Sequence, residues 1–77
     1  MSITITKTLD LKGLSCPLPI VKTAKAMKEL ASGDVIEVLA TDPGSTQDFR
    51  AWCRSTRNEL VEETIEDGTF RYVIKKR

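Results

Sequence analysis

The chain has 77 residues and contains no histidine, two cysteines and few aromatic side chains, namely one tryptophan, one tyrosine and two phenylalanines. The lack of histidine removes the commonest general base and the commonest zinc ligand. Two cysteines cannot by themselves complete a four-ligand zinc site. The formal net charge of +1 lacks the basic excess typical of a nucleic-acid binder. We therefore expect no metal, no cofactor and no direct contact with nucleic acid.

Long apolar runs are also missing. Residues 1–10 alternate isoleucine with threonine and lack the apolar core and cleavage site of a signal peptide, and no segment is long enough to cross a membrane. We expect a cytoplasmic protein, in which cysteines are free, reactive or buried rather than joined in a disulfide. A chain this short holds one domain, so residues 1–77 are predicted to form a single monomeric domain with a shallow surface.

Hydrophobic periodicity predicts four strands. In the first, Ile3, Ile5, Leu9 and Leu11 share one parity and threonines occupy the other, as in a strand with one buried face. Three further strand-like segments follow, at Val35–Ala40, Leu60–Glu66 and Phe70–Lys75. The intervening Asp67-Gly68 is a strong signal for a two-residue hairpin turn.

Two helices are predicted between these strands. The first begins at about Pro17, because the fixed φ of proline suits the start of a helix, and it ends at Ser32-Gly33. The second begins near Ser45, which resembles a capping box with Asp48, and runs to about Arg57. The apolar face of the first helix comprises Ile20, Val21, Ala24, Met27 and Ala31, and that of the second comprises Phe49, Trp52, Cys53 and Thr56.

The order βαβαββ predicts an α/β fold. Two helices from so short a chain cover only one face of a sheet. We therefore expect a two-layer sandwich in which a mixed four-stranded sheet carries both helices on one face and leaves the other face open.

Cys16 is the residue best suited to chemistry. It directly precedes the first predicted helix, where unpaired N–H groups and the helix dipole favour an anion, so we expect its thiol pKa to be lowered. Pro19 stands where a Cys-x-x-Cys motif has its second cysteine, which disfavours dithiol redox chemistry. The alternative is that Cys16 is a small buried residue at a helix start.

The remaining candidates are on the helices. Lys22 and Lys25 fall on the exposed face of the first helix, where they are either partner contacts or a merely solvated surface. Cys53 and Trp52 lie on the apolar face of the second helix and are interpreted as core residues.

Residues 9–19 have the sequence Leu-Asp-Leu-Lys-Gly-Leu-Ser-Cys-Pro-Leu-Pro, which resembles the opening motif of the TusA family of sulfur carriers, also called the SirA-like or CPxP family. Residues 41–48 are similar to the entry of that family's second helix. The resemblance extends over almost the whole chain. It implies a fold similar to the C-terminal domain of translation initiation factor 3.

The resemblance also implies a function. Cys16 would carry sulfur as a persulfide, and Pro17 and Pro19 would fix the start of the helix that presents it. The protein would be a sulfurtransferase that receives sulfur from a cysteine desulfurase or rhodanese-like protein and passes it to a DsrE-type relay protein. Family members serve tRNA thiolation, molybdenum-cofactor supply or dissimilatory sulfur oxidation.

Two other classes of function stay open. The domain could be a binding module that uses its open sheet face, with Cys16 incidental. It could also be a redox sensor in which Cys16 pairs with Cys53.

Overall fold

The computed structural model describes residues 4–77. Its strands are β1 (Lys7–Asp10), β2 (Val35–Ala40), β3 (Glu59–Glu66) and β4 (Thr69–Lys75), and its helices are α1 (Leu18–Met27) and α2 (Ser45–Thr56). The sheet order is β1-β2-β4-β3. β1 and β2 are parallel, whereas β4 is antiparallel to both of its neighbours. The predicted α/β fold and its βαβαββ order are confirmed.

The register of the strands brings three connections to one end of the sheet. The parallel pair places the ends of β1 and β2 together, with Asp10 opposite Leu39. Phe70, near the start of β4, lies opposite Ala40, so the turn between β3 and β4 is at the same end. The segments that follow β1 and β2 therefore meet there, which is where a ligand or partner is expected on parallel strands.

The predicted alternation of the first strand is confirmed in the described residues. Leu9 is half-buried and Leu11 is buried, whereas the Thr8 hydroxyl donates to Glu37 at 3.0 Å on the opposite face. The strand itself is shorter than predicted, because regular pairing begins only at Lys7. Ile3 lies outside the described residues.

The Asp67-Gly68 hairpin is also confirmed. Both residues have positive φ, 51° and 77° respectively. This is the requirement of the type I′ turn that fits the twist of two antiparallel strands.

The core lies between the helices and the sheet. Tyr72 and Phe49 are fully buried, and their rings stack with centroids 4.6 Å apart. Cys53 is 3% exposed, and the half-buried Trp52 packs edge-on against Phe49 at 6.3 Å. The interpretation of Cys53 and Trp52 as core residues is confirmed.

Helix α1 differs from the prediction in its bounds and its buried face. It begins at Leu18 and ends at Met27, where the Lys76 side chain donates to the Met27 carbonyl at 2.8 Å and also to that of Leu30. These bonds satisfy carbonyls that a helix end leaves free. Val21, predicted to be buried, is 54% exposed, and Thr23 is fully buried instead.

This rotation of α1 has a packing cause. The buried positions of α1 are Pro19, Thr23, Ala26 and Met27. They recur at the helical spacing of four and three, so they form one stripe. With Pro19 in this stripe, its next member is Thr23 rather than Val21, and Leu18 and Val21 are left exposed.

Helix α2 has the predicted extent but a different cap. Its first residue is Ser45, as predicted, but the cap is Gly44 and makes no side-chain hydrogen bond, so the proposed capping box is wrong. The Ser45 hydroxyl is instead 2.7 Å from the Tyr72 hydroxyl. Arg57 ends the helix in the left-handed region, with φ of 63°.

The open face of the sheet is polar at its centre. Arg71 bonds to both Glu37 and Glu62 across three strands. The Arg71 guanidinium, and to a lesser extent the Thr8 hydroxyl, hydrogen-bond to Glu37 and lower the pKa of its carboxyl group. Tyr72 and Phe49 are in the core and Trp52 and Phe70 pack against it, so among residues 4–77 this face has no stacking platform for bases of the kind that single-stranded nucleic acid requires.

We predict that Thr23→Val stabilises the fold. The Thr23 side chain is fully buried, and its hydroxyl has no hydrogen-bond partner among residues 4–77. A buried hydroxyl without a partner is costly, so valine should raise the free energy of unfolding by about 1 kcal/mol. Urea denaturation followed by circular dichroism measures the change.

Ser45→Ala is the matched control, because Ser45 is also buried but shares a hydrogen bond with Tyr72. We expect alanine to lower the free energy of unfolding by about 1 kcal/mol. If both substitutions destabilised the protein equally, the Thr23 hydroxyl would have to be satisfied in solution.

Candidate functional site

Cys16 lies in the segment that joins β1 to α1, at the end of the sheet where the connections meet. Gly13 turns this segment with a φ of 86°, a conformation that favours glycine. Its N–H donates to the Thr41 hydroxyl at 2.9 Å. This bond ties the Cys16 segment to the segment that leads from β2 into α2.

The start of α1 holds Cys16 at the surface. Pro17 occupies the cap position, and its carbonyl accepts from the Val21 N–H at 3.1 Å. The Cys16–Pro17 peptide bond is cis. Pro19 is buried in the first turn and anchors it to the core, whereas Cys16 is an exposed free thiol.

Two expectations for Cys16 are therefore corrected. The cap position belongs to Pro17, so Cys16 is one residue further from the helix than predicted. The alternative that Cys16 is a buried structural residue is wrong, because its side chain is exposed. An exposed thiol at this place can reach another protein.

The expected lowering of the Cys16 pKa is also wrong. The pKa of the Cys16 thiol is raised, first by a hydrogen bond to the Asp48 carboxylate and further by partial desolvation and by the charges of Asp48 and Asp42. A helix dipole acts mainly within the first turn, and Cys16 lies one residue before the cap of α1. The negative charges of Asp48 and Asp42 thus oppose the lowering that the α1 dipole is expected to cause.

Asp48 and Asp42 come from the segment around the start of α2. They flank Gly44, since a methyl group on that residue would lie 3.6 Å from the Asp42 carboxylate and 4.0 Å from that of Asp48. Asp48 N–H donates to the Gly44 carbonyl at 3.2 Å, within the first turn. The sequence assigns Asp48 to helix capping and does not reveal its effect on the Cys16 thiol, because only the fold brings the two segments together.

The Tyr72 hydroxyl fixes the start of α2. It lies 2.7 Å from the Ser45 hydroxyl and 2.9 Å from that of Thr46. Since Tyr72 is fully buried in β4, these bonds connect the segment carrying Asp48 directly to the sheet. The carboxylate beside Cys16 is thus held by the core of the domain.

The outer side of α1 presents apolar and basic side chains next to Cys16. Leu18 is 44% and Val21 54% exposed, and Lys22 and Lys25 are exposed on the same helix. We call these four residues the α1 surface. It directly follows Cys16 in the chain, so a partner that contacts the thiol meets the α1 surface as well.

Cys53 has a different environment. It is buried on α2, and burial raises the pKa of its thiol to about 11. Both cysteines are free. An exposed Cys16 and a core Cys53 do not form the kind of pair that a reversible disulfide requires, so the redox-sensor hypothesis loses support.

In the part of the chain that the structure describes, no group of three or more acidic, cysteine or histidine side chains is placed to hold a metal ion. Neither α1 nor α2 is long and apolar enough to cross a membrane.

The fold and the exposed thiol define a small α/β domain in which Cys16 is the exposed one of two free cysteines, an arrangement suited to a protein-borne group carrier. Comparison with known proteins narrows this class. Residues 7–76 match the family model described as Sulfurtransferase TusA. The chain belongs to the TusA family of sulfur carriers.

Individual relatives support the assignment to this family. The sulfur carrier protein TusA of Allochromatium vinosum is 50% identical over 68 residues, which cover 88% of this chain and 90% of that protein. The sulfur carrier protein TusA of Pseudomonas entomophila is 41% identical over 70 residues, or 91% of this chain and 88% of that one. The crystal structure of a SirA-like protein from Desulfitobacterium hafniense superposes with a TM-score of 0.82 at 28% identity, covering 91% and 96% of the two chains.

The resemblance stated from the motif is confirmed by these findings, and with it a role in sulfur transfer. Sulfur carriers work with protein partners in a sulfur relay. The exposed thiol and the α1 surface of this domain are suited to such contacts.

We predict that the two cysteines differ sharply in alkylation by iodoacetamide. In the native protein Cys16 should be modified and Cys53 protected, because only Cys16 is exposed. Since the thiolate is the nucleophile, the rate at Cys16 should rise with pH, with a midpoint above the ordinary value of a cysteine. Peptide mapping by mass spectrometry resolves the two sites.

The same chain unfolded in urea is the control. Unfolding removes Asp48 from the vicinity of Cys16 and exposes Cys53, so the Cys16 midpoint should fall and Cys53 should react. A native midpoint at or below the unfolded one would contradict the effect of the carboxylates.

Proposed function

We propose that Cys16 accepts sulfane sulfur as a persulfide from a donor protein and passes it to an acceptor protein. The observation that carries this proposal is the exposed free thiol immediately before α1, in a family of sulfur carriers. A thiolate attacks the outer sulfur of a persulfide without a metal or cofactor. Residues 1–77 act as one monomeric domain, and Pro17 and Pro19 keep the sulfur at the surface.

The donor in this proposal is a cysteine desulfurase or a rhodanese-like protein, and the acceptor is a DsrE-type relay protein. The transferred sulfur serves tRNA thiolation, molybdenum-cofactor supply or dissimilatory sulfur oxidation. The domain is a sulfurtransferase in the sense of a carrier that works between two proteins. It has no deep substrate pocket of its own at Cys16, because that side chain is exposed.

The α1 surface is the proposed contact for these partners. Leu18 and Val21 supply exposed apolar area, and apolar side chains ringed by polar groups are typical of protein interfaces. Lys22 and Lys25 add positive charge at the rim, where charge mainly steers association.

We predict that Cys16→Ser abolishes sulfur loading. The wild type, incubated with a cysteine desulfurase and cysteine or with inorganic polysulfide, should gain sulfur in intact-protein mass spectrometry. The serine variant should gain none, because an alcohol does not attack a sulfane sulfur under these conditions.

Cys53→Ser is the control in the same measurement. It should load as the wild type does, since Cys53 is buried and its pKa is raised to about 11. Sulfur loading that persists in Cys16→Ser, or a folded wild type that never gains sulfur, would contradict the proposal and favour the binding-module hypothesis.

Charge reversal on the α1 surface should slow loading by the donor protein. For Lys22→Glu and Lys25→Glu, made singly, we expect the second-order rate to fall by about tenfold at low salt and to become less sensitive to salt. Lys75→Glu is the matched control, because Lys75 is exposed at the opposite end of the sheet. Equal effects of all three substitutions would show that net charge, not the α1 surface, governs association.

A further inference from the structure

The outer side of β3 is a free strand edge. The sheet order places β3 at one edge, and among residues 4–77 it pairs only with β4. β3 has eight residues, whereas β1 at the other edge has only four. The N–H and C=O groups of β3 that face away from β4 are therefore a template on which another extended chain can pair.

The hairpin turn determines which residues present these groups. The two residues that flank a two-residue turn are joined by a main-chain hydrogen bond, and here they are Glu66 and Thr69. Hydrogen-bonded and non-hydrogen-bonded pairs alternate along an antiparallel ladder, so Ile65 and Glu63 fall in non-hydrogen-bonded pairs. Ile65 and Glu63 therefore direct their N–H and C=O groups towards the free edge.

The side chains of β3 are acidic on both faces of the sheet. The strand contains four glutamates and no basic residue. Glu62 accepts from Arg71 at 3.0 Å on the open face, and Glu63 accepts from Arg50 of α2 at 2.8 Å on the other. The ion pairs of β3 within residues 4–77 use only these two glutamates, so the exposed Glu66 has none. Since like charges opposite each other in a ladder are unfavourable, this edge repels a second copy of itself and fits a basic strand.

A groove opens beside this edge on the helix side of the sheet. Its volume is about 190 Å³, and its lining includes Thr46 and Arg50 of α2, Ile65 of β3 and Phe70 of β4. Ile65 is 62% exposed, although it is a large apolar side chain. Successive side chains of a strand point to opposite faces. One set of side chains on a strand added beside β3 would thus enter the groove, and the other set would meet the glutamates of the open face.

We propose that the free edge of β3 binds an extended basic segment of a partner protein as an additional strand. The main chain of the segment pairs with Ile65 and Glu63. Its basic side chains face Glu62 and Glu66, and its apolar side chains, at the alternate positions, enter the groove beside Ile65. In this mode of recognition the main-chain bonds supply affinity and the side-chain contacts supply specificity.

This site is separate from the α1 surface. α1 packs on β2, whereas α2 packs on β3 and β4, and β3 lies at the opposite edge of the sheet from the strand that leads to Cys16. The α1 surface is basic and the β3 edge is acidic, so the two attract different partners. Binding at β3 requires no sulfur on Cys16 and is therefore independent of the proposed function.

The test is a titration of the isotope-labelled protein, followed by NMR, with a short end-blocked peptide of alternating lysine and valine. We expect saturable shifts of backbone amide signals in β3, largest at Ile65 and Glu63. The same peptide with glutamate in place of lysine should not bind. Cys16→Ser should bind the lysine peptide as the wild type does, because the two sites are separate.

Ile65→Pro tests the pairing of the main chain. Proline removes the Ile65 N–H, which faces the free edge, and an edge strand tolerates proline when its N–H side faces solvent. The fold, checked by circular dichroism, should be retained and the peptide should no longer bind. Ile65→Thr is the matched control, because threonine keeps the N–H and suits a strand. It should weaken binding by only about fourfold through the loss of apolar contact.

Glu66→Lys tests the charge of the edge. We expect the dissociation constant of the lysine peptide to rise by about tenfold at low salt, because an attraction between exposed charges becomes a repulsion. Glu29→Lys is the matched control. It makes the same change in net charge at an exposed site beside Lys7, at the other edge of the sheet, and it should have little effect on binding.

Other outcomes overturn the inference. Equal weakening by Glu66→Lys and Glu29→Lys would show that net charge governs binding, and unchanged binding by Ile65→Pro would show that no strand is added. A wild type that dimerises in sedimentation, with Ile65→Pro monomeric, would show that a second copy occupies the edge. A wild type that gains sulfur but binds no peptide would overturn this inference alone, whereas one that binds the peptide but gains no sulfur would overturn only the proposed function.

Discussion

The hydroxyl group of Tyr72 joins the sheet to the start of α2, and the arrangement around Cys16 depends on this junction. Tyr72 is fully buried in β4 and stacks on Phe49 of α2, while its hydroxyl meets those of Ser45 and Thr46. A buried hydroxyl without a partner is costly, so the contact favours one position for the helix. The Gly13 N–H, which donates to the Thr41 hydroxyl at 2.9 Å, ties the Cys16 segment to the segment that leads into this helix.

Much of the architecture follows from local features of the sequence. Strands and helices are predicted from local periods, such as the alternation around Leu9 and Leu11 and the apolar stripe that includes Phe49 and Cys53. The hairpin is predicted from the backbone conformation that the Asp67-Gly68 turn requires. Such signals need no knowledge of distant residues. For the same reason the motif at Cys16 could be matched to a family before any contact was known.

The predictions from sequence fail where a residue has alternative partners far away in the chain. Ser45 is predicted to belong to a helix cap, yet its hydroxyl forms a hydrogen bond with the hydroxyl of Tyr72, 27 positions away. Val21 is more apolar than Thr23, but anchoring of Pro19 turns Thr23 towards the core. The Cys16 pKa was inferred from the helix that follows it, whereas carboxylates from another element control it.

Exposure and protonation act in opposite directions on the reactivity of Cys16. Its side chain is exposed, and oxidation of a cysteine depends on both exposure and thiolate character. The carboxylates of Asp48 and Asp42 raise the pKa of the thiol, which lowers the fraction present as thiolate at a given pH. Both carboxylates belong to the segment around the start of α2, so the junction with Tyr72 that positions this segment also influences the exposed sulfur.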